Sequence, residues 1–212
     1  ALTGPSAIGT ALALIDQAIV SGTSFVTTLL IGRLLGPEDL GLYRLGFTVV
    51  LLGTLFQQSL VTMPYIVFRG RVEPDRRTEY AGSALLHMLG LALIATIVLL
   101  LCNATVVPNS GLPQLEPVLW ALAAVIPFLL MRDFARNYAY AHLNVPAALL
   151  LDVSVSVCQL LGMLMLFLVG VLNAVTVFVV AGVASLIGVL PWLLLRKHEF
   201  RPNLAAARAE IP

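Results

Sequence analysis

Charged residues are scarce in this chain, and they are nearly absent from six long stretches of its sequence. Asp, Glu, Lys and Arg make up 11% of the 212 residues, whereas hydrophobic residues make up 59% and the mean hydropathy is +0.98. Soluble domains have a charged share of about 25%. The composition therefore excludes an ordinary soluble globular domain.

Cysteine is also scarce, and several functional motifs are missing. Cys102 and Cys158 are the only two cysteines, and two so far apart in sequence indicate neither a disulfide framework nor a metal site. The chain has no phosphate-binding loop, zinc motif, nucleophile elbow or basic nucleic-acid-binding face. We therefore predict no enzymatic activity, no cofactor, no metal and no nucleic-acid partner.

Six apolar stretches are candidates to cross a membrane as helices, which takes about 20 residues. They are residues 8–35, 42–68, 80–101, 117–131, 146–169 and 172–195. The fourth stretch is short by itself, and it continues as a span over residues 117–140 if Phe134, Tyr138 and Tyr140 form an aromatic belt at the interface while Arg132 and Arg136 snorkel. We predict an all-α, polytopic membrane protein with a six-helix bundle over residues 1–195 and a cytoplasmic linker or tail over residues 196–212.

The basic residues indicate how the bundle is oriented. Ten of the twelve follow the second, fourth or sixth stretch, and only Arg33 and Arg44 lie around the first connection. The ten are Arg69, Arg71, Arg76, Arg77, Arg132, Arg136, Arg196, Lys197, Arg201 and Arg208. Basic connections stay in the cytoplasm. The distribution predicts a multi-pass protein of the cytoplasmic membrane with both termini in the cytoplasm.

Polar side chains inside the stretches mark candidate cavity residues, because each of them is costly in lipid unless it faces protein or water. At about 100° per residue, those of the first stretch occupy less than half of the helix circumference. The second and fifth stretches have similar polar faces. The candidates are Asp16, Gln17, Ser21, Ser24, Thr28, Thr54, Gln58, Thr62, Asp152, Ser156 and Gln159. For the hydroxyls, bonding within one helix or between neighbouring helices is the alternative.

Asp16 and Asp152 are the ionisable members of this set, and two roles are open to them. They can carry a coupling proton or sodium ion, or they can pair with Arg132 and Arg136 as structural locks. Arg132 and Arg136 lie one helical turn apart and form a basic face at the cytoplasmic surface. That face would attract anionic headgroups or a diphosphate, unless its charges only set the topology.

Packing features are also visible. Ala181, Ala184, Ser185 and Gly188 give the sixth stretch a small-residue face that allows close approach of another helix. Pro64 is expected to bend the second helix, because it frees backbone carbonyls.

Two segments resemble a known family. Three stretches near the amino terminus resemble the first hairpin of the oligosaccharide and polysaccharide flippases. They are Asp16-Gln17-Ala18, Ser21-Gly22-Thr23-Ser24-Phe25 and Gly32-Arg33-Leu34-Leu35-Gly36-Pro37-Glu38-Asp39-Leu40-Gly41-Leu42-Tyr43. These proteins belong to the multidrug/oligosaccharidyl-lipid/polysaccharide exporter superfamily. The segment from Arg132 to Asp152 is similar to the family's junction between its fourth and fifth helices.

The resemblance implies an architecture and a substrate. Members of this family have two lobes of about six helices around a central cavity, and lipid-linked saccharides cross by alternating access. The six spans of this chain then correspond to the amino-terminal lobe, and its partners are a lipid-linked saccharide, membrane lipids and a second six-helix lobe absent from this chain. The family's cavity displays basic residues to a pyrophosphate-linked sugar. Because we place no Lys or Arg at mid-membrane, we do not expect an arginine of this lobe to capture substrate.

The expected function is therefore flipping of a lipid-linked oligosaccharide or polysaccharide precursor. An ion-coupled drug or metabolite antiporter of the same superfamily is one alternative, and titration of Asp16 and Asp152 would favour it. A non-transporting scaffold or enzyme of glycan assembly is another. An enzyme would need acids, histidines or metal ligands together at a membrane face, and only Asp133 with His142 partly meets that requirement.

Overall fold

The part of the chain that the computed structural model describes, residues 5–200, is helical and contains no strand. The helices are α1 (Pro5–Leu34), α2 (Pro37–Gln57), α3 (Met63–Arg69), α4 (Arg77–Thr105), α5 (Val107–Ser110), α6 (Leu115–Ala141), α7 (Val145–Val169) and α8 (Ala174–Arg196). A π-helical turn, Gln58–Thr62, joins α2 to α3, and 3-10 turns occupy Pro74–Arg76 and Lys197–Glu199.

Six segments within the described residues are long and apolar enough to cross a membrane. They are Gly9–Leu34, Pro37–Arg69, Pro74–Thr105, Leu115–Ala141, Val145–Val169 and Ala174–Glu199. The prediction of an all-α, six-span membrane protein is confirmed. Of the predicted tail, residues 201–212 lie outside the described part, and Phe200 packs against Trp192 with ring centroids 5.9 Å apart.

The second, third and sixth spans begin away from their predicted first residues, and in the third and sixth polar residues organise the helix ends. The third begins well before residue 80, with Glu79 in the first turn of α4, where a carboxylate stabilises the positive end of the helix dipole. The sixth begins at Ala174 rather than 172 because Asn173 caps it. The Asn173 side chain accepts from the Thr176 N–H at 2.9 Å, and the Thr176 hydroxyl accepts from the Asn173 N–H at 2.9 Å.

The first turn, which lies in the Gly32–Tyr43 segment that resembles the flippase family, connects three helices. Gly36 has φ +90°, a conformation that favours glycine, and Pro37 then starts α2. Two residues later, the Asp39 carboxylate accepts a 2.9 Å hydrogen bond from the N–H of Ala174, at the start of α8. The motif therefore fixes the α1–α2 turn to the neighbouring end of α8.

The central helix of the bundle is α6, which packs against α2, α4, α7 and α8. Half of the residues in its most apolar stretch are buried inside the protein, a larger share than in the other five spans. Leu122, Ile126, Leu130 and Phe134 recur every four residues on one side of α6, and each is at most 1% exposed. In contrast, α1 packs mainly against α7 and leaves Phe25 67% exposed, as suits a surface that faces lipid.

Glycines allow α8 to approach its neighbours. A Cβ on Gly182 would lie 2.4 Å from the Cβ of Val125 on α6, and one on Gly188 would lie 2.5 Å from a methyl group of Val155 on α7. Ala184 and Ser185, from the predicted small-residue face, are buried between them. These contacts give α8 the close packing that stabilises helix association in lipid.

The second span departs from α-helical geometry just before Pro64. Pro64 has no N–H, so the carbonyl of Leu60 cannot receive its usual hydrogen bond. The chain forms the π-helical turn Gln58–Thr62, in which the N–H of Met63 bonds to the carbonyl of Gln58. The extra residue in this turn changes which side chains of α2 and α3 share a face.

Aromatic rings close the end of the bundle that carries the 70–76 connection and the 142–144 turn, which we name the basic end. Tyr138 contacts Tyr65, His142, Trp192 and Phe200 there. The Tyr138 hydroxyl donates to a Glu199 carboxylate oxygen at 2.7 Å. Burial lowers the pKa of His142, which favours a neutral ring, and its Nδ1 lies 2.8 Å from the carbonyl oxygen of Tyr138.

We expect Gly182→Ala to lower the free energy of unfolding by about 1–3 kcal/mol, because the new methyl group overlaps Val125 on the central helix. Thermal unfolding in detergent micelles measures the change. Gly90→Ala is the matched control, since nothing lies within 4 Å of its Cβ position, and the better helix propensity of alanine should leave that variant equal to the parent or stabilised by up to about 1 kcal/mol. Equal stability of the two variants would contradict the close α6–α8 contact.

Candidate functional site

A groove of about 850 Å³ opens between α1 and α2, with residues of α6, α7 and α8 forming its floor. Its size is within the range of about 300–1,000 Å³ that is usual for ligand sites. The lining residues are Val20, Ser21, Thr23, Ser24, Phe25, Thr28, Leu29, Gly32, Arg33, Leu40, Tyr43, Arg44, Phe47, Val50, Leu129, Arg132, Gln159, Val177, Phe178 and Ala181.

The wall of the groove formed by α1 is polar along one strip. Ser21, Ser24 and Thr28 are spaced three and four residues apart and therefore face the same side of the helix. Gln159 of α7 also lines the groove, and its Nε2 donates to the hydroxyl of Thr27 at 3.3 Å. The structure thus places four of the predicted cavity residues along one surface.

Three arginines also line the groove. Arg33 and Arg44 border it near the α1–α2 turn, and Arg132 reaches it from α6. We expected Arg132 to snorkel to the interface at the end of the fourth span, whereas its side chain borders the groove, nine residues before α6 ends at Ala141. A guanidinium of the fourth span therefore reaches this cavity.

Arg132 and Arg136 are paired with the two buried acids. The Nη2 of Arg132 lies 2.7 Å from Oδ1 of Asp152, and the Nη2 of Arg136 lies 2.8 Å from Oδ2 of Asp16. The Nε of Arg136 is also 2.6 Å from Oδ2 of Asp152, so it pairs with both acids. Both carboxylates are 0% exposed and both arginine side chains are 21% exposed. The four groups form a neutral network that joins α1, α6 and α7.

Two further side chains complete the network on the α1 side. The hydroxyl of Tyr140 donates to Oδ2 of Asp16. The Oε1 of Gln17 lies 3.4 Å from Nη2 of Arg136, and the Nε2 of Gln17 lies 3.3 Å from the hydroxyl of Ser21. Polar contacts therefore run from the ion pairs to the strip that lines the groove. Tyr140 was predicted only as an interfacial aromatic residue. Its spacing of four residues from Arg136 indicates that both side chains lie on the same face of α6.

The family comparison agrees with this architecture. Residues 7–210 match the family described as "Polysaccharide biosynthesis protein". The chain belongs to the polysaccharide biosynthesis protein family. The resemblance to the polysaccharide flippases of the multidrug/oligosaccharidyl-lipid/polysaccharide exporter superfamily is thereby confirmed. Neither the search of curated proteins nor the search of solved structures gave a match.

The remaining predicted cavity residues of this family member lie away from the groove. Thr54 donates to the carbonyl of Val50 in its own helix, and Gln58 lies within hydrogen-bonding reach of the Asp133 side chain. The hydroxyls of Thr62 and Ser156 are buried without a hydrogen-bond partner among the described residues. Gln57, next to the predicted face, also reaches α6, where it donates to the carbonyl of Leu130 at 3.0 Å.

We expect Asp152→Asn to lower the free energy of unfolding by about 3 kcal/mol, because it leaves Arg132 without its counterion in a buried position. The double variant Asp152→Asn with Arg132→Gln should recover most of that loss, since both charges are removed together. Chemical unfolding in mixed micelles measures both values.

Asp75→Asn serves as the control for loss of a carboxylate, because Asp75 is exposed in the connection before α4. Its stability should stay within about 0.5 kcal/mol of the parent protein. Independent, additive effects of Asp152→Asn and Arg132→Gln would show that the pair does not stabilise the bundle.

Proposed function

We propose that this chain is the amino-terminal lobe of a flippase that moves a lipid-linked oligosaccharide or polysaccharide precursor across the cytoplasmic membrane. The observation that carries the proposal is the open groove between α1 and α2, with hydroxyl and amide groups along its wall and Arg33, Arg44 and Arg132 at its borders. Membership in the polysaccharide biosynthesis protein family supports the substrate class.

The groove suits a substrate with an anionic headgroup and a saccharide. Arginines bind phosphate oxygens through paired N–H donors, and the Ser, Thr and Gln side chains offer hydrogen bonds to sugar hydroxyls. A lipid chain can stay in the bilayer, since apolar side chains such as Phe25 border the groove and are exposed. Transport of this kind breaks no covalent bond. A second lobe would complete the cavity and alternate its opening between the two sides.

Ion-coupled antiport is less well supported than flipping. Coupling through Asp16 and Asp152 would need carboxylates that exchange a proton or a sodium ion as the cavity opens. Both acids instead have arginine counterions at 2.6–2.8 Å. Exchange of a proton or a sodium ion at either acid would first require these ion pairs to separate.

An enzymatic site at Asp133 and His142 is not supported by their positions. Asp133 accepts from the amide of Asn137 at 3.0 Å, whereas the ring of His142 stacks against Tyr138 in the aromatic cluster. Nine residues of helix separate them by about 13 Å along the axis.

Our proposed orientation, with the basic end in the cytoplasm, leads to a labelling prediction. In a background without Cys102 and Cys158, a cysteine at Asn109 should react with a membrane-impermeant thiol reagent added to intact cells. A cysteine at Arg76 should react only after the cells are permeabilised, because Arg69, Arg71 and Arg77 lie in or beside the 70–76 connection. The reversed pattern would overturn this orientation.

The groove proposal is tested by neutralising its exposed arginines in the full-length protein. Arg33→Gln combined with Arg44→Gln should reduce flipping of a lipid-linked saccharide in reconstituted vesicles by about tenfold or more, because charge-assisted hydrogen bonds to phosphate are lost. Arg71→Gln is the control, since Arg71 lies at the basic end over the ring of Phe68 and away from the groove. Equal transport rates for the control and the double variant would exclude phosphate capture at this groove.

A further inference from the structure

A second pocket, of about 510 Å³, lies at the opposite end of the bundle from the basic end. The last turns of α4, the short helix α5 and the first turns of α6 enclose it. Asn103, Glu116 and Trp120 supply its polar and aromatic groups, and Pro108 and Gly111 lie on its rim. Nothing in the groove between α1 and α2 contributes to this pocket.

Asn103 is the buried polar residue of the pocket, and its side-chain oxygen is unused by the fold. The residue is 7% exposed, and its Oδ1 is enclosed without a hydrogen-bond partner among the described residues. A buried carbonyl oxygen without a partner costs desolvation free energy that the fold itself does not recover. Rotation about χ2 exchanges the oxygen and the NH₂ group, so this side chain can present either a donor or an acceptor to a ligand.

Glu116 and Trp120 lie one helical turn apart on α6 and therefore face the same side of it. Glu116 is an exposed acceptor in the first turn of α6. Trp120 is 55% exposed and offers a flat apolar face. An aromatic face beside a carboxylate and an amide matches the chemistry of a sugar ring, which has C–H groups on its faces and hydroxyls around its edge.

The connection that closes the pocket is held by its own hydrogen bonds. The Ser110 hydroxyl donates to the carbonyl of Val107 at 2.8 Å and accepts from the N–H of Leu112 at 3.1 Å. The Asn109 amide donates to the carbonyl of Thr105 at 2.8 Å, and Gly111 makes the turn with φ +68°. A pocket shaped in advance loses less conformational entropy when a ligand binds.

We propose that this pocket is a saccharide-binding subsite that takes one or two neutral sugar units, separate from the groove between α1 and α2. Trp120 stacks on a ring face, Glu116 accepts from hydroxyls and the Asn103 amide bonds a ring substituent. A phosphate ligand fits poorly, because the pocket has a carboxylate and no arginine or lysine. A plain lipid chain would leave Asn103 without a partner.

The test measures binding of neutral disaccharides to the full-length protein by isothermal titration calorimetry in phospholipid nanodiscs, which avoid sugar-based detergents. The probes are maltose, cellobiose and N,N′-diacetylchitobiose, with inorganic pyrophosphate as the anionic comparison. At least one disaccharide should bind with a dissociation constant of about 1 mM. Trp120→Ala, Glu116→Gln and Asn103→Leu should each weaken that binding by about tenfold or more.

Two controls separate this site from the groove and from a purely structural role. The Arg33→Gln and Arg44→Gln double variant should bind the disaccharide as the parent does, even where it fails to flip substrate. Asn103→Leu should unfold at the same or a higher temperature than the parent, because it removes an unsatisfied buried side-chain oxygen. Glu116 is exposed, so Glu116→Gln keeps the test valid if Asn103→Leu does not fold. Binding of no disaccharide, or equal binding by Glu116→Gln and the parent, would overturn the proposal.

Discussion

Arg132 and Arg136 lie within a membrane-spanning helix, where an unpaired charge is costly. Each therefore needs a carboxylate from another helix. Asp152 of α7 and Asp16 of α1 supply these groups, and both are completely buried. Removal of either acid would leave a charge uncompensated, so the pairing fixes how α1 and α7 are placed around the central helix. The other contacts of the bundle, such as the glycine-based packing of α8, are arranged around the same helix.

The groove follows from the way α1 is attached. Near the basic end, α1 is joined to α6 through Asp16, Arg136 and Tyr140. At the opposite end, the Gly36–Pro37 turn joins it to α2, and Asp39 attaches that turn to α8. Between these two attachments α1 packs mainly on α7, which leaves space towards α2. The hydroxyls of α1 and the side chain of Arg132 line the space that is left. The cavity is therefore polar, and it lies beside the Arg132–Asp152 ion pair, whose charges balance.

Length and hydropathy were sufficient to predict the six spans, because crossing the hydrocarbon core requires a minimum number of apolar residues. They did not decide between the two roles open to Asp16 and Asp152. Asp16 and Arg136 are 120 positions apart in the sequence, and only the packing of α1 beside α6 brings them together. Thr54 and Gln58 were assigned to the cavity face by helical periodicity, but Thr54 bonds its own helix and Gln58 lies beside Asp133. Arg132 was expected to snorkel to the membrane surface, whereas its side chain pairs with Asp152 and borders the groove.

The ion network is unequal in how strongly it holds its two outer helices. Asp152 faces both arginines, whereas Asp16 has Arg136 as its only ionic partner among the described residues. If α1 moved away, Arg136 would keep a counterion, because its Nε already lies 2.6 Å from Asp152. If α7 moved away, Arg132 would lose its ion-pair partner and Arg136 would lose one of its two. Withdrawal of α7 thus breaks two ion pairs and withdrawal of α1 breaks one, so the ion network opposes withdrawal of α1 less strongly. Because α1 forms one wall of the groove, the more weakly held helix is also the one whose position sets the width of the groove.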